Sequence, residues 1–203
     1  MTLILGLTGS IATGKSSAAR VFQEKGFPVI SADEGARRLV EPPSPALDKI
    51  RRIFGEEFLF ENGCLNREKL AALIFRHEKA RKQLDQLMQP LLRQWLIKER
   101  TLAKVNHPPL VVMDIPLLYE KNLQDLVDQV MVVYTRETFQ LERLMARDHL
   151  ARKEALERIF SQINIERKVE WADIVIYNNE DEAYLRRQIE AWILFNGYED
   201  WPE

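Results

Sequence analysis

The apolar positions of this chain follow two rhythms. Five short runs rich in Val, Ile and Leu are apolar almost without interruption: LILGL (3–7), FPVIS (27–31), LVVMD (110–114), QVMVVYT (129–135) and ADIVIYN (172–178). Such runs predict strands buried on both faces. Between them the apolar positions recur at helical spacing, beginning with residues 15–25 behind the first run. Strands alternating with helices predict an α/β fold, a parallel sheet held between helical layers.

One interval is too long for a single crossover. Residues 34–107 hold EGARRLV, ALDKIRRIFGEEF, REKLAALIF and KARKQLDQLMQPLLRQWLIKERTLAKV, all helical in pattern, with breaks at EPPSP (41–45) and ENG (61–63). This predicts a helical insertion into the sheet domain. A second, densely charged helical stretch, 136–168, separates the last two strands. No repeat, low-complexity tract or flexible linker is visible.

Composition narrows the classes of function. The 203 residues are 46% hydrophobic and 30% charged, as in an ordinary globular protein, and they suit one domain carrying insertions. A single cysteine, Cys64, can form neither an internal disulfide nor a cysteine metal site, and is read as a small hydrophobe or an idle thiol. A formal net charge of −2 argues against general nucleic-acid binding. That charge is unevenly spread: residues 37–104 hold 15 Lys/Arg against 9 Asp/Glu. The excess fits an anionic partner or a solvated helical surface. The start, MTLILGL, lacks the basic segment of a secretion signal. No stretch approaches the roughly 20 apolar residues of a membrane helix. The expectation is a cytoplasmic protein with neither membrane nor nucleic acid as a partner.

Chemistry enters with LTGSIATGKSSAA (7–19), which matches G-x-x-x-x-G-K-[ST] through Gly9, Gly14, Lys15 and Ser16. The match follows a predicted strand and opens a predicted helix, the context its mechanism requires. Backbone amides of residues 10–16 can wrap a phosphate at the positive end of the helix. Lys15 can reach the β- and γ-phosphates, and the Ser16 hydroxyl can ligate Mg²⁺. Asp114, closing LVVMD, has the form of the second magnesium-positioning group, acting through water.

A phosphate loop alone does not choose among switch, motor and kinase. The guanine-specifying Asn-Lys-x-Asp of a GTPase is absent, and the chain is short for a motor. A small-molecule kinase needs a carboxylate near the acceptor hydroxyl and arginines that enclose the phosphates. Asp33, just past the second strand, is a candidate base, because the carboxyl ends of such strands face the ligand. It equally suits a helix start, where Ser31-x-x-Glu34 has the form of a capping box. Arg143 and Arg147, four apart on one helix face, can reach one anion. They can also pair with neighbours such as Glu142 or Asp148 on a solvated surface.

Together these stretches resemble the dephospho-CoA kinase family over nearly the whole chain. The resemblance is carried by GLTGSIATGKSSAA (6–19), SADEGARRLVEPPSPA (31–46), FGEEFLFENGCLNREKL (54–70), VMDIPLLYE (112–120), QLERLMARD (140–148), SQ (161–162) and Lys168 with ADIVIYNN (172–179). It implies a three-layer α/β/α P-loop kinase with a five-stranded parallel sheet, one domain over 1–203. Within that domain it implies a core of 1–33, 108–135 and 169–203, a helical acceptor-binding insertion at 34–107 and a helical lid at 136–168. The implied reaction moves the γ-phosphate of ATP to the ribose 3′-hydroxyl of dephospho-CoA, with Mg²⁺, completing coenzyme A. The expected state is a monomer, with weak self-association left open.

The same resemblance implies Asp33, Lys15 and Arg147 as catalytic residues. It implies Gly9, Ala12, Thr13, Gly14, Lys15, Ser16, Ser17, Arg143 and Arg147 at ATP, and Thr8, Asp33, Pro116, Leu117 and Leu118 at the acceptor. The chain departs from the family pattern at Ser31, where an aspartate is usual, and at Gln89, where a histidine precedes the proline. Ser10 and Ala12 stand where glycines are common, at positions expected to be permissive. Two other readings stay open: a kinase of the same architecture acting on a nucleoside monophosphate or shikimate, and a nucleotide-dependent switch.

Overall fold

The five apolar runs form one parallel sheet of β1 (Leu3–Gly9), β2 (Val29–Ser31), β3 (Leu110–Asp114), β4 (Gln129–Tyr134) and β5 (Ile174–Tyr177). The structure is a computed structural model and describes residues 2–198. Strand order is β2-β3-β1-β4-β5. The central strand β1 outruns its apolar stretch by two residues, because Thr8 and Gly9 continue the ladder opposite Val132 and Val133. From β1 the chain builds β2 and β3 on one side, then β4 and β5 on the other. The order therefore reverses at β1, and its carboxyl end is the topological switch point, where α/β sheets of this kind bind ligands.

The chain divides into two compact units, residues 1–31 with 99–203, and residues 32–98. In the first, α1 (Lys15–Glu24) and α9 (Glu182–Phe195) cover the sheet, burying Val21, Phe22, Ile189 and Ile193 with Leu5, Leu7 and Val133. Phe22 meets Phe27 and Trp192 edge to face. Towards the C-terminus Trp192 and Tyr198 rest against this core while Leu194 and Phe195 are exposed; Trp201 lies outside the described residues. The charged stretch forms α6 (Glu137–Asp148), α7 (Arg152–Phe160) and α8 (Ile165–Glu170), with Leu141 and Leu144 of α6 packed on Ala155 and Ile159 of α7.

The second unit contains α2 (Ala32–Arg38), α3 (Pro45–Phe54), α4 (Arg67–Arg76) and most of α5 (Glu78–Ala103). Ser44 caps α3 by accepting from the amides of Ala46 and Leu47, and Pro45 begins the helix where its missing N–H costs nothing. The small core joins Val40, Ala46, Ile50, Phe58 and Leu70. Trp95 lies directly on Gly35, where a Cβ would stand 2.3 Å from the indole ring. Cys64 is half-buried with a free thiol. Helix α5 runs 26 residues, straight through Gln89 and Pro90. Among the described residues, no helix is long and apolar enough to cross a membrane.

Candidate active site

Strand β1 ends at Gly9 and α1 begins at Lys15, so five residues make the whole turn from strand to helix. The turn closes on itself: the amide and hydroxyl of Thr13 both donate to the Ser10 carbonyl, at 3.2 and 2.9 Å. Gly14 caps α1 in the left-handed region, with φ 94°. A Cβ there would stand 2.0 Å from Nδ2 of Asn178, the group that donates to the Thr13 carbonyl at 2.8 Å. Both conditions admit glycine alone. Lys15, Ser16 and Ser17 follow in the first helical turn, whose amides have no partner within the helix and stand at its positive end.

The donors left to meet an anion are fewer than the motif predicts. The Ile11 amide donates to Gln162 Oε1 at 2.7 Å and the Thr13 amide to Ser10, so neither is a free donor. The amides of Ala12, Gly14 and the first turn of α1 remain. The Lys15 ammonium meets Oδ1 of Asp114 at the end of β3, and both side chains are largely buried. Asp114 stands in register with Leu7 on one side and with Ser31 on the other. An aspartate at position 31 would set a second carboxylate beside it; serine avoids that repulsion. The exposed hydroxyl of Ser16 and the Asp114 carboxylate are hard oxygen donors, the type Mg²⁺ takes one or two of, alongside substrate phosphates.

The two loop departures from glycine each carry a cost. The Ser10 hydroxyl is buried without a partner among the described residues, and Ala12 has φ 62°. Neither position is simply permissive. Left-handed backbone costs an L-residue about 1–2 kcal/mol, while glycine adds about 0.4–1 kcal/mol of unfolded-state entropy. Ala12→Gly is therefore expected to raise stability slightly, moving the thermal midpoint up by about 1–3 °C. A lower midpoint would mean that the packing of the Ala12 methyl against the Leu141 and Leu144 cluster outweighs the strain.

The residues expected at the acceptor fall into two groups. Thr8 and Leu118 have no exposed surface. The Thr8 hydroxyl donates to the Pro116 carbonyl at 3.1 Å, and Leu118 lies so close to Gly6 that a Cβ there would stand 2.8 Å from it. Their side chains shape the ground beneath the loop and offer an acceptor nothing to touch. Pro116 and Leu117 are half-buried in the segment after β3. Asp33, in the first turn of α2, follows Ser31 by two residues. Its carboxylate is exposed and has no hydrogen-bond or ion-pair partner among the described residues.

Arg143 and Arg147 both lie on α6. Arg147 grips Asp148 with two bonds, 2.7 Å from Nε and 3.1 Å from Nη2, and Arg158 of α7 reaches the same carboxylate at 2.9 Å. The hydrogen bond to Asp148 raises the Arg147 pKa further, and the same bond pulls the Asp148 carboxyl below its usual range. Arg143 is half-buried with no ion pair among the described residues.

Sequence reasoning assigns no role to the groups that hold the loop. Gln140 Nε2 donates to the Ile11 carbonyl at 2.6 Å. Gln162 takes the Ile11 amide, Asn178 holds the Thr13 carbonyl, and Lys168 Nζ donates to the Gly9 carbonyl at 2.9 Å. These residues lie 129 to 165 positions from the carbonyls and amide they bind, so no local spacing points to them. All four fall in the stretches that carry the family resemblance, and Asn178 also directly follows β5, at the edge where the strand ends converge.

A strand-to-helix turn with its amides facing outward at a switch point, and a lysine shared with the next strand's carboxylate, is how a phosphate chain is gripped by P-loop proteins. This chain is a small P-loop kinase. The family model for dephospho-CoA kinase matches residues 3–183. Dephospho-CoA kinase from Oceanobacillus iheyensis is 44% identical over 190 residues, covering 94% of this chain and 96% of that one. Among solved structures, a Thermus thermophilus protein has a TM-score of 0.80 at 31% identity, covering 96% and 97% of the two chains. Dephospho-CoA kinase from Campylobacter jejuni has a TM-score of 0.74 at 29% identity, covering 96% of each. The chain belongs to the dephospho-CoA kinase family, whose members transfer a phosphate from ATP to dephospho-CoA in the final step of coenzyme A biosynthesis.

Proposed function

We propose that this chain phosphorylates the ribose 3′-hydroxyl of dephospho-CoA with residues divided between grip, metal, base and lid. The observation that carries the reading is the Lys15–Asp114 pair at the mouth of a glycine-capped helix. The amides opening α1 hold the β-phosphate, and Lys15 turns from Asp114 to the β- and γ-oxygens as ATP enters. Ser16, and Asp114 through water, would hold Mg²⁺. When bound, the ion offsets negative charge on the phosphoryl group and aligns it.

Asp33 accepts the proton of the 3′-hydroxyl. That oxygen bonds to the γ-phosphorus, the bond to the bridging oxygen breaks, and ADP leaves. Arg147, and Arg143 beside it on α6, meet the phosphates from the lid segment 136–168. Arg147 has a ready form of that contact, since a phosphate offers its fork the same pair of oxygens that Asp148 now supplies. The basic helical insertion, 34–107, binds the acceptor, whose pyrophosphate suits its positive excess. The loop, the metal donors and the base form one assignment over a core of 1–33, 108–135 and 169–203. The protein works in the cytoplasm as a monomer.

ADP release measured with dephospho-CoA, shikimate, a nucleoside monophosphate or no acceptor tests this reading. Stimulation by dephospho-CoA alone is the expected result. Slow ATP hydrolysis indifferent to every acceptor would favour a nucleotide switch instead, and stimulation by another acceptor would reassign the substrate.

A further inference from the structure

Lys168, in α8, has no exposed surface at all. Its ammonium lies 2.9 Å from the Gly9 carbonyl and 2.8 Å from Oε1 of Glu120. Glu120 lies in the turn that follows β3 and also accepts from the Ile163 amide at 3.2 Å. Its second oxygen is buried with no partner among the described residues. Three segments far apart in sequence thus meet at one buried charge: the phosphate loop, the segment after β3, and the helix that closes the lid stretch.

Stability gives this pair no reason to exist. Burial pushes the Lys168 pKa down, with Glu120 opposing it, and a buried ion pair is commonly no more stable than neutral side chains of the same shape. Position gives it a reason. Gly9 is the last residue of β1, and the orientation of its peptide sets the direction in which the chain enters the loop. The other tethers on the loop, Gln140, Gln162 and Asn178, are neutral amides. Lys168 alone brings a charged donor to a loop carbonyl among the described residues, and charge-assisted bonds are roughly twice as strong as neutral ones.

We propose that Lys168 is a positioning residue for phosphoryl transfer: its ammonium fixes the Gly9 carbonyl, and through it the phosphate-holding amides, while Glu120 neutralises the buried charge. Lys168 touches neither substrate. Its loss is therefore felt at ATP and not at the acceptor. The inference rests on the proposed grip of the loop on ATP. Nucleotide binding and dephospho-CoA-dependent ADP release by the unmodified protein test that grip separately, in the same series.

The experiment compares Lys168→Met, Glu120→Gln and the double variant, with ATP affinity from calorimetry and kcat and KM for each substrate taken well below the thermal midpoint. Lys168→Met leaves the Glu120 charge buried alone, so its midpoint falls. The double variant removes both charges and keeps an acceptor for the Ile163 amide, so its midpoint recovers. Its kcat/KM for ATP stays down by about 10²-fold, the scale of a small misplacement of reacting groups, with KM for dephospho-CoA within about twofold of normal. Glu120→Gln retains the Gly9 contact and is expected to lose no more than about threefold on the same scale, about 0.7 kcal/mol in transition-state terms. A double variant with restored midpoint and ATP kcat/KM within about threefold of normal would make the pair purely structural. So would a loss in Glu120→Gln as deep as in Lys168→Met.

Discussion

Lys15→Ala is expected to cut dephospho-CoA-dependent ADP release by at least about 10²-fold, because a preorganised charge at the transferring phosphoryl group disappears. Lys15 is fixed at the first residue of α1 by Gly14, which no larger residue can replace without striking Asn178. Its ammonium is held at Asp114, so it waits at the strand end where the phosphates arrive. Alanine removes that charge and leaves the helix start intact. The Asp114 contact is lost with it, which lowers thermal stability as well. Rates are therefore compared well below the variant's own midpoint, and near-normal turnover there would remove Lys15 from the mechanism.

Asp33→Asn is expected to reduce turnover by a similar factor of at least about 10², with the fold untouched. Asparagine has the same shape but cannot take the acceptor's proton. The side chain is exposed and carries no bond among the described residues, so the unfolding free energy should change only within the ordinary range of a surface substitution, about ±0.5 kcal/mol. A rate loss without a stability loss distinguishes a base from a helix-start residue, whose removal would do the reverse. Near-normal turnover with a lowered midpoint would return Asp33 to the helix-start reading.

The two departures at Ser10 and Ala12 show how far a motif can be read without its backbone. As letters in a pattern they look interchangeable with glycine. In the folded loop one hydroxyl is buried without a partner among the described residues, and one alanine is forced to φ 62°. A pattern records which residues occur and does not record dihedral angles. Arg147 teaches the same lesson from the other side, since its place on a charged helix was compatible with an anion and with a local pair to Asp148, and the structure pairs it with Asp148.

Unbroken apolar runs located the five strands to within two residues at either end, because strands of a parallel sheet covered on both faces read as near-continuous apolar stretches. The glycines, lysine and serine of the phosphate loop, and Asp114 at a strand end, were likewise legible, since each depends on neighbours close along the chain. Tertiary structure alone decided what holds that loop. Gln140, Gln162, Lys168 and Asn178 reach it across more than a hundred residues, and a hydrogen bond between groups so far apart leaves no period or spacing behind. The chain order of β1 to β5 could be read from sequence; that the sheet reverses at β1, placing the loop at the switch point, follows only from how the strands pair.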